Sequence, residues 1–160
     1  MKKYFSNFFK SWTGKIITLN TIIFAIMSLY NYMQVKQWEF TEQTLSQFGA
    51  IHPHESSWYT VVTMMFLHGG LAHIVCNSIS LNSIGSALEK HAKNWFLPTY
   101  IVSGIISGVT VYFYGSDWTV GASGAICGMW AMLIVYNMKY LRSKFMIVAT
   151  MIDLSLLIYI

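Results

Sequence analysis

Three polar side chains lie close together in an otherwise apolar part of the sequence, within a run over residues 56–88 that has no charge when His is counted as neutral. They are His68, His73 and Asn77. At 100° per residue His73 and Asn77 share one helix face, whereas His68 and Asn77 point in opposite directions. Two glycines follow His68 directly, and glycine is unfavourable inside a helix. The spacing therefore predicts a helix that begins near Gly70, with His68 in the turn that leads into it.

A fourth candidate is Ser123, which lies in a run of small residues over positions 121–128. Ser123 is expected a few residues into a helix, at a depth similar to that of His73 and Asn77. A serine near a helix N-terminus, with amide and imidazole donors nearby, has the parts of a nucleophile and an oxyanion hole. Small residues at a G-x-x-x-G spacing are also typical of close helix packing, and His or Asn often joins membrane helices by hydrogen bonds. Both interpretations remain open at this point.

A general base is missing from this set, because no histidine follows Ser123 in the 160 residues. His52 and His54 lie beside Glu55 in a predicted outer loop, where a surface cluster or an adventitious metal site is favoured over a catalytic role. Asp153 is the single charge in the last apolar run. An ionisable residue inside a membrane is a functional candidate, but pairing of Asp153 with another helix or a neighbouring chain is favoured over catalysis.

The composition indicates the solvent in which these side chains must act. Of the 160 residues, 55% are hydrophobic and 10% are charged, and the mean hydropathy is +0.49. An ordinary soluble domain has about 25% charged residues, so lipid is predicted to form part of the solvent here. The 16% aromatic content excludes a disordered chain, and two cysteines are too few for a disulfide scaffold.

Five apolar runs follow one another along the chain. They cover residues 16–35, 56–88, 94–116, 118–138 and 145–160. Since a spanning helix needs about 20 residues, the first, third and fourth runs each predict one span, and the fifth is short. The second run is too long for one straight helix, so its first part is predicted to be interfacial or re-entrant. The predicted fold class is an all-α, polytopic helical bundle with about five transmembrane helices, in which residues 1–15 form a cytoplasmic segment and 16–160 the transmembrane domain.

The basic residues indicate the orientation of this bundle. All but one of the ten Lys and Arg residues fall on the same side of the predicted spans, and the exception is Lys36. By the positive-inside rule the N-terminus is cytoplasmic and the loop that begins at Lys36 faces outside. The net charge of +4 is therefore a topology signal and not a nucleic-acid patch. The expected location is the plasma membrane.

Several motifs occur together in an informative order. Residues 66–73 read Phe-Leu-His-Gly-Gly-Leu-Ala-His, Asn77 follows, Gly85 and Glu89 come later in the same predicted helix, and residues 121–124 read Gly-Ala-Ser-Gly. With these motifs the sequence resembles the rhomboid intramembrane serine proteases, from about residue 58 to its end. The resemblance implies a helical bundle that hydrolyses a peptide bond in or near the transmembrane segment of a substrate protein.

The resemblance also implies roles for the candidate residues. Ser123 is the nucleophile, and His73 and Asn77 receive the oxyanion together with the backbone N–H of Ser123. His68 supports the site from the turn before the helix. The implied partners are a transmembrane protein substrate and the lipid bilayer. No metal, cofactor or nucleic acid is implied.

The general base of the family is a histidine in an Ala-His motif on a sixth span, and no histidine follows Ser123 here. The chain is therefore expected to be a C-terminally truncated protease that lacks its sixth span, or a natural form without protease activity. The alternative function is a non-proteolytic, rhomboid-like membrane protein that binds transmembrane helices. A small transporter is a third class, which only Asp153 supports.

Overall fold

The computed structural model describes residues 8–53 and 55–141, which are mainly helical. Helix α1 spans Trp12–Val35, α2 Glu42–Phe48, α3 Thr60–Thr63, α4 Leu71–Ser80, α5 Ser86–Tyr114 and α6 Ser123–Tyr136. A 3-10 turn, Met64–Phe66, follows α3, and π-helical turns, Leu81–Gly85 and Asn137–Leu141, follow α4 and α6. The described residues contain no β-strand, which confirms the predicted all-α class.

Two helical stretches within the described ranges are long and apolar enough to cross a membrane, namely Trp12–Val35 and Leu71–Tyr114. The second stretch has 44 residues, or roughly 66 Å at 1.5 Å per residue, about twice the thickness of a hydrocarbon core. A non-helical residue, Ala92 (φ −145°, ψ 48°), interrupts it near its middle. The interruption lies between the apolar runs 56–88 and 94–116, as the sequence predicted.

The apolar run over residues 118–138 forms a helix, but the helix begins five residues later than the run. It starts at Ser123 and continues through α6 and the π-helical turn to Leu141, which is 19 residues and about the length of a span. Residues 115–122 form a loop instead, and the loop pairs with the outer loop between α2 and α3. Ile51 N lies 3.1 Å from Thr119 O, and Thr119 N lies 2.8 Å from Ile51 O. Hydropathy placed the start of this helix too early because uncharged loop residues resemble helical ones. The run at 145–160, including Asp153, lies outside the described residues.

Two side chains fix the start of α1, one from the residue before the helix and one from α5. The hydroxyl of Ser11 accepts a hydrogen bond from Gly14 N at 3.0 Å. The carboxylate of Glu89, from α5, accepts from Trp12 N at 2.9 Å, from Thr13 N at 3.0 Å and from the Thr13 hydroxyl at 2.7 Å. A carboxylate at this position satisfies N–H groups that have no helical partner and opposes the positive end of the helix dipole. The beginning of α1 is thereby fixed to the first turn of α5, near the middle of the α4–α5 stretch.

The other end of α1 is fixed to the loop that follows it by a buried amide. The Nδ2 group of Asn31 donates to the carbonyl oxygens of Gln37 and Glu39, both at 2.8 Å. Its Oδ1 accepts from the Thr44 hydroxyl at 2.8 Å and from Thr41 N at 3.2 Å. Thr41 also caps α2, since its hydroxyl accepts from Thr44 N. One side chain therefore connects α1, the following loop and α2.

Helices α5 and α6 pack at very short range through small residues. The side chain of Ser107 lies against Gly124 and that of Ser103 against Gly128, so a β-carbon at either glycine would collide with a serine. The Ser103 hydroxyl lies 3.1 Å from the carbonyl oxygen of Ala125. The close approach that the G-x-x-x-G spacing predicted is confirmed, and its partner is α5 of the same chain. This contact fixes the helix that begins at Ser123.

The apolar core contains side chains from α5, from α6 and from the π-helical turn that follows α4. Its largest fully buried members include Tyr100, Phe96, Leu81, Ile126 and Met129. A second, smaller cluster contains Met27, Ala50 and Leu67 and lies between α1 and the outer loop. Leu67 immediately precedes His68, so apolar packing also fixes the turn that leads into α4.

Candidate active site

The first part of the site is the turn that precedes α4. The helix begins at Leu71 with Gly70 as its N-cap, so the predicted start is confirmed, and His68 lies in the non-helical turn as expected. The His68 side chain is buried, and its ring lies edge-on to the ring of His73 with the centroids 5.2 Å apart. His68 and His73, which have two glycines between them in the sequence, therefore contact each other.

Gly121 brings the second part of the site to His73. Its φ is +129°, a region that favours glycine, and its N–H donates to the carbonyl oxygen of Met64 at 2.9 Å. A β-carbon built on Gly121 would lie 2.7 Å from His73 Nε2 and 3.8 Å from Ser123 Oγ. The imidazole nitrogen and the serine hydroxyl thus both lie within 4 Å of one point, and only the absence of a side chain at residue 121 leaves the space between them open.

Ser123 is the first residue of α6, which corrects the expectation that it lies a few residues inside the helix. The first hydrogen bond of this helix runs from Ile126 N to Ala122 O at 2.9 Å. The N–H of Ser123 therefore has no partner within the helix and lies at the positive end of the helix dipole. Ser123 itself is half-buried. Such a position can receive developing negative charge.

Asn77 lies one helical turn after His73 on the same face of α4, as its spacing predicted. Its side chain is buried, and its Nδ2 donates to the carbonyl oxygen of His73 at 3.0 Å. A carboxamide has two N–H donors, so the second remains for another acceptor. Among the described residues no hydrogen bond joins the Ser123 hydroxyl to His73 or to Asn77. The structure therefore pairs Asn77 with His73 and brings Ser123 close to His73 through Gly121.

Burial dominates the electrostatics of the turn. Burial, together with the nearby His73 ring, lowers the pKa of His68 to about 4. The imidazole of His68 is therefore neutral near pH 7. A neutral imidazole can remain in this apolar turn, whereas an imidazolium would need a charged partner.

The remaining histidines lie elsewhere. His91 packs against Tyr136, at the far end of α6 and roughly 20 Å along that helix from Ser123. His52 Nδ1 lies 3.3 Å from Glu55 Oε2, and its ring contacts that of Trp118. Within the described ranges, no group of three side chains is placed to hold a metal ion. His54 lies outside the described residues.

The sequence showed Gly121 as part of a motif but did not show that it forms the floor of the site, which means that a β-carbon there would contact both His73 and Ser123. The signal was the Gly-Ala-Ser-Gly order, which contains no information about the residue that faces the first glycine. The anchoring carbonyl of Met64 was also missed. It belongs to a backbone turn, and a sequence pattern of apolar residues does not reveal which carbonyl groups remain unpaired.

These features define a class: a helical membrane protein with a serine at a helix N-terminus, facing a histidine across a glycine. The family model of the rhomboid domain matches residues 55–160. The chain therefore belongs to the rhomboid family, which confirms the resemblance, and the family together with the apolar helices indicates an integral membrane protein.

Individual relatives agree with this assignment. The chain is 28% identical over 134 residues to rhomboid protease GluP of Bacillus subtilis, a match that covers 81% of this chain and 25% of that protein. It is 30% identical over 153 residues to rhomboid protease AarA of Providencia stuartii (82% of this chain, 54% of the relative). It is 33% identical over 125 residues to rhomboid-like protease 3 of Toxoplasma gondii (74% and 47%). The chain thus spans between a quarter and about half of these relatives. No solved structure gave a significant match.

Proposed function

We propose that the chain carries the nucleophile and oxyanion half of an intramembrane serine endopeptidase, which hydrolyses a peptide bond in or near the transmembrane segment of a substrate protein. The observation that carries this proposal is the shared space at Gly121, with His73 Nε2 and Ser123 Oγ on its borders. A carbonyl group in that space would meet a nucleophile and a ring N–H donor together. The names of the relatives, three of them proteases, support the same reaction class.

The proposed reaction is acyl transfer in two steps. The Ser123 hydroxyl attacks the scissile carbonyl carbon while a base takes its proton, and the oxyanion is received by Ser123 N–H, His73 and the second N–H of Asn77. The tetrahedral adduct releases the amine, which takes the proton back from the base. Water then attacks the acyl-enzyme and releases the carboxylate product, and Ser123 Oγ regains a proton.

The base in this scheme is proposed to be a histidine that is absent from residues 1–160, since none follows Ser123. His73 is the nearest imidazole, but the same ring cannot serve well both as an oxyanion donor and as a base. His68 is buried in the turn before α4, where its ring packs against that of His73, and its proposed role is to support that ring. We therefore expect the 160 residues alone to have at most trace activity.

The proposed topology has the N-terminus in the cytoplasm, about five spans and a location in the plasma membrane. The placement of the lysines supports it: Lys10, Lys90 and Lys93 line one cleft, while Lys36 ends α1 at its other end. The helices that begin near His73 and Ser123 would then enter from the outer side. A cysteine introduced at Glu42 should react with an impermeant thiol reagent in intact cells. Reaction only after the cytoplasmic face is opened would contradict this orientation.

The test of function is cleavage of a reporter transmembrane protein. A version extended by a sixth helix with an Ala-His motif should cleave the reporter, and Ser123→Ala should abolish cleavage. Asn77→Ala should reduce the rate by about 10² to 10³, the loss typical of one oxyanion donor. A matched Ser107→Ala variant retains the nucleophile and should keep most of the activity. A folded, extended protein without Ser123-dependent cleavage would contradict the proposal.

The second candidate is a rhomboid-like protein that binds transmembrane helices without cutting them. The observation that favours it is that, among the described residues, no hydrogen bond joins the Ser123 hydroxyl to His73 or to Asn77. The two candidates differ in one result. A binder should capture the reporter helix equally well with Ser123 or Ala at residue 123, and the extended version should still not cut it.

A further inference from the structure

A cleft with basic walls lies at the opposite end of the molecule from Ser123. It has a volume of about 630 Å³, and its walls contain Lys10, Ser11, Ser86, Glu89, Lys90 and Lys93. Lys90 lies on the helical stretch that starts beside His73, roughly 25 Å further along. The break at Ala92 separates Lys90 from Lys93 and lets both line the same cleft as the start of α1.

The lysines of this cleft are not neutralised by the carboxylate beside them. Glu89 is the only acidic residue among the described residues of its wall, and both of its oxygens already accept hydrogen bonds from the start of α1. Across residues 8–53 and 55–141, no ion pair joins Lys10, Lys90 or Lys93 to a carboxylate. All three lysines are solvent-exposed in the chain alone. The cleft therefore concentrates positive charge that has no partner within the described protein.

Aromatic residues indicate the depth of the cleft in the bilayer. Phe9 and Trp12, beside Lys10, are 56% and 38% exposed, and Trp95, beside Lys93, is 58% exposed. The ammonium group of Lys15 lies 4.5 Å from the centre of the Trp12 ring. Exposed Trp residues near lysines are typical of the boundary between hydrocarbon and headgroups. The cleft consequently opens at the level where lipid phosphates lie.

We propose that this cleft binds the phosphate of an anionic phospholipid headgroup. The ammonium groups of Lys10, Lys90 and Lys93 would donate to the phosphate oxygens, and the acyl chains would lie along the exposed rings of Phe9 and Trp95. Basic pockets between helices on the cytoplasmic side recognise lipid headgroups in this way. A soluble acidic protein fits less well, because the exposed aromatic rings around the cleft require an apolar neighbour. The proposal stands on the cleft alone and does not depend on catalysis.

The test compares two pairs of lysines with equal charge. The full 160-residue protein is purified in a mild detergent that contains equimolar phosphatidylglycerol and phosphatidylcholine, and retained lipid is counted by native mass spectrometry. Each lysine near an anionic headgroup contributes about fivefold to binding, so Lys90→Gln with Lys93→Gln should reduce phosphatidylglycerol retention by roughly 25-fold. The control pair, Lys15→Gln with Lys139→Gln, removes the same charge outside the cleft and should change retention less than about twofold.

Two further measurements separate headgroup binding from misfolding of the variants and from binding of a free anion. A Lys90→Arg, Lys93→Arg protein should retain the lipid, and thermal unfolding without added lipid should be alike in all variants if folding is intact. Inorganic phosphate in excess should leave phosphatidylglycerol bound. Equal loss in the two glutamine pairs, or no preference over phosphatidylcholine, would overturn the proposal. Displacement of the lipid by phosphate would also overturn it and would assign the cleft to a free anion.

Discussion

Replacing Gly121 by alanine is the perturbation whose effect is best defined by the structure. The new β-carbon would lie 2.7 Å from His73 Nε2, whereas ordinary contact begins at 3.4 Å, so the imidazole must retreat by about 0.7 Å. The φ of +129° also disfavours any residue with a β-carbon, which adds about 1–3 kcal/mol of backbone strain. For a protein of this size, that strain corresponds to a fall in Tm of roughly 3–10 °C.

Thermal unfolding of the 160-residue protein in detergent measures the backbone strain, and reporter cleavage by the extended version measures the effect of displacing the imidazole. A displacement approaching 1 Å of a group in the site is expected to reduce the rate by up to about 100-fold. Gly69→Ala is the matched control, because its β-carbon would also face His73 but at 3.9 Å from Nδ1, an ordinary contact. If Gly121→Ala and Gly69→Ala had the same Tm and the same rate, the assignment of Gly121 as the floor of the site would be refuted.

Three further predictions concern contacts that fix the helices and the turn. Glu89→Ala should lower the free energy of unfolding, measured by chemical denaturation, by about 2 kcal/mol because it leaves two N–H groups of α1 unpaired. Glu55→Ala is the control and should change this free energy little, because Glu55 belongs to an exposed ion pair. Gly128→Leu should cost about 1–3 kcal/mol by overpacking against α5, and Cys127→Leu, at the neighbouring exposed position, much less. The low folded-state pKa of His68 predicts that stability falls as the pH drops below the unfolded value of 6.5, by about 3 kcal/mol between pH 7 and pH 4, and that His68→Gln reduces this slope.

Each of these comparisons has a contrary outcome. Equal destabilisation by the two glutamate variants would show that the hydrogen bonds of Glu89 at the start of α1 do not add to the free energy of unfolding. Equal loss in the leucine variants would mean that α6 does not approach α5 closely. An unchanged pH slope in His68→Gln would assign the titration to another group.

The sequence predicted the local features of the site because these follow from spacing alone. The helix start near Gly70 and the separate position of His68 required only the 100° rotation per residue and the two glycines. The loop before Ser123 was not predicted, because its residues are uncharged and its structure depends on pairing between Thr119 and Ile51. That pairing joins distant parts of the chain, and hydropathy contains no information about it.

The contacts between helices were likewise predictable only in their local part. The spacing of Gly124 and Gly128 predicted a close helix neighbour but did not identify it, because a small residue shows where a backbone can approach and not which one does. Asn31 was not singled out in the sequence, where it is one polar residue in an apolar run. Its function in joining α1 to the outer loop depends on backbone groups of that loop, which become partners only when the chain folds.

The central claim is that Ser123 is a nucleophile whose base is absent from residues 1–160. The most direct measurement is the stoichiometry of fluorophosphonate labelling at Ser123, determined by mass spectrometry in the 160-residue protein and in the version extended by an Ala-His helix. We predict a trace of labelling in the first and near-complete labelling in the second, because a serine hydroxyl needs an adjacent base to react. Strong labelling of Ser123 in the 160-residue protein would contradict the claim and would make His73 or His68 the base.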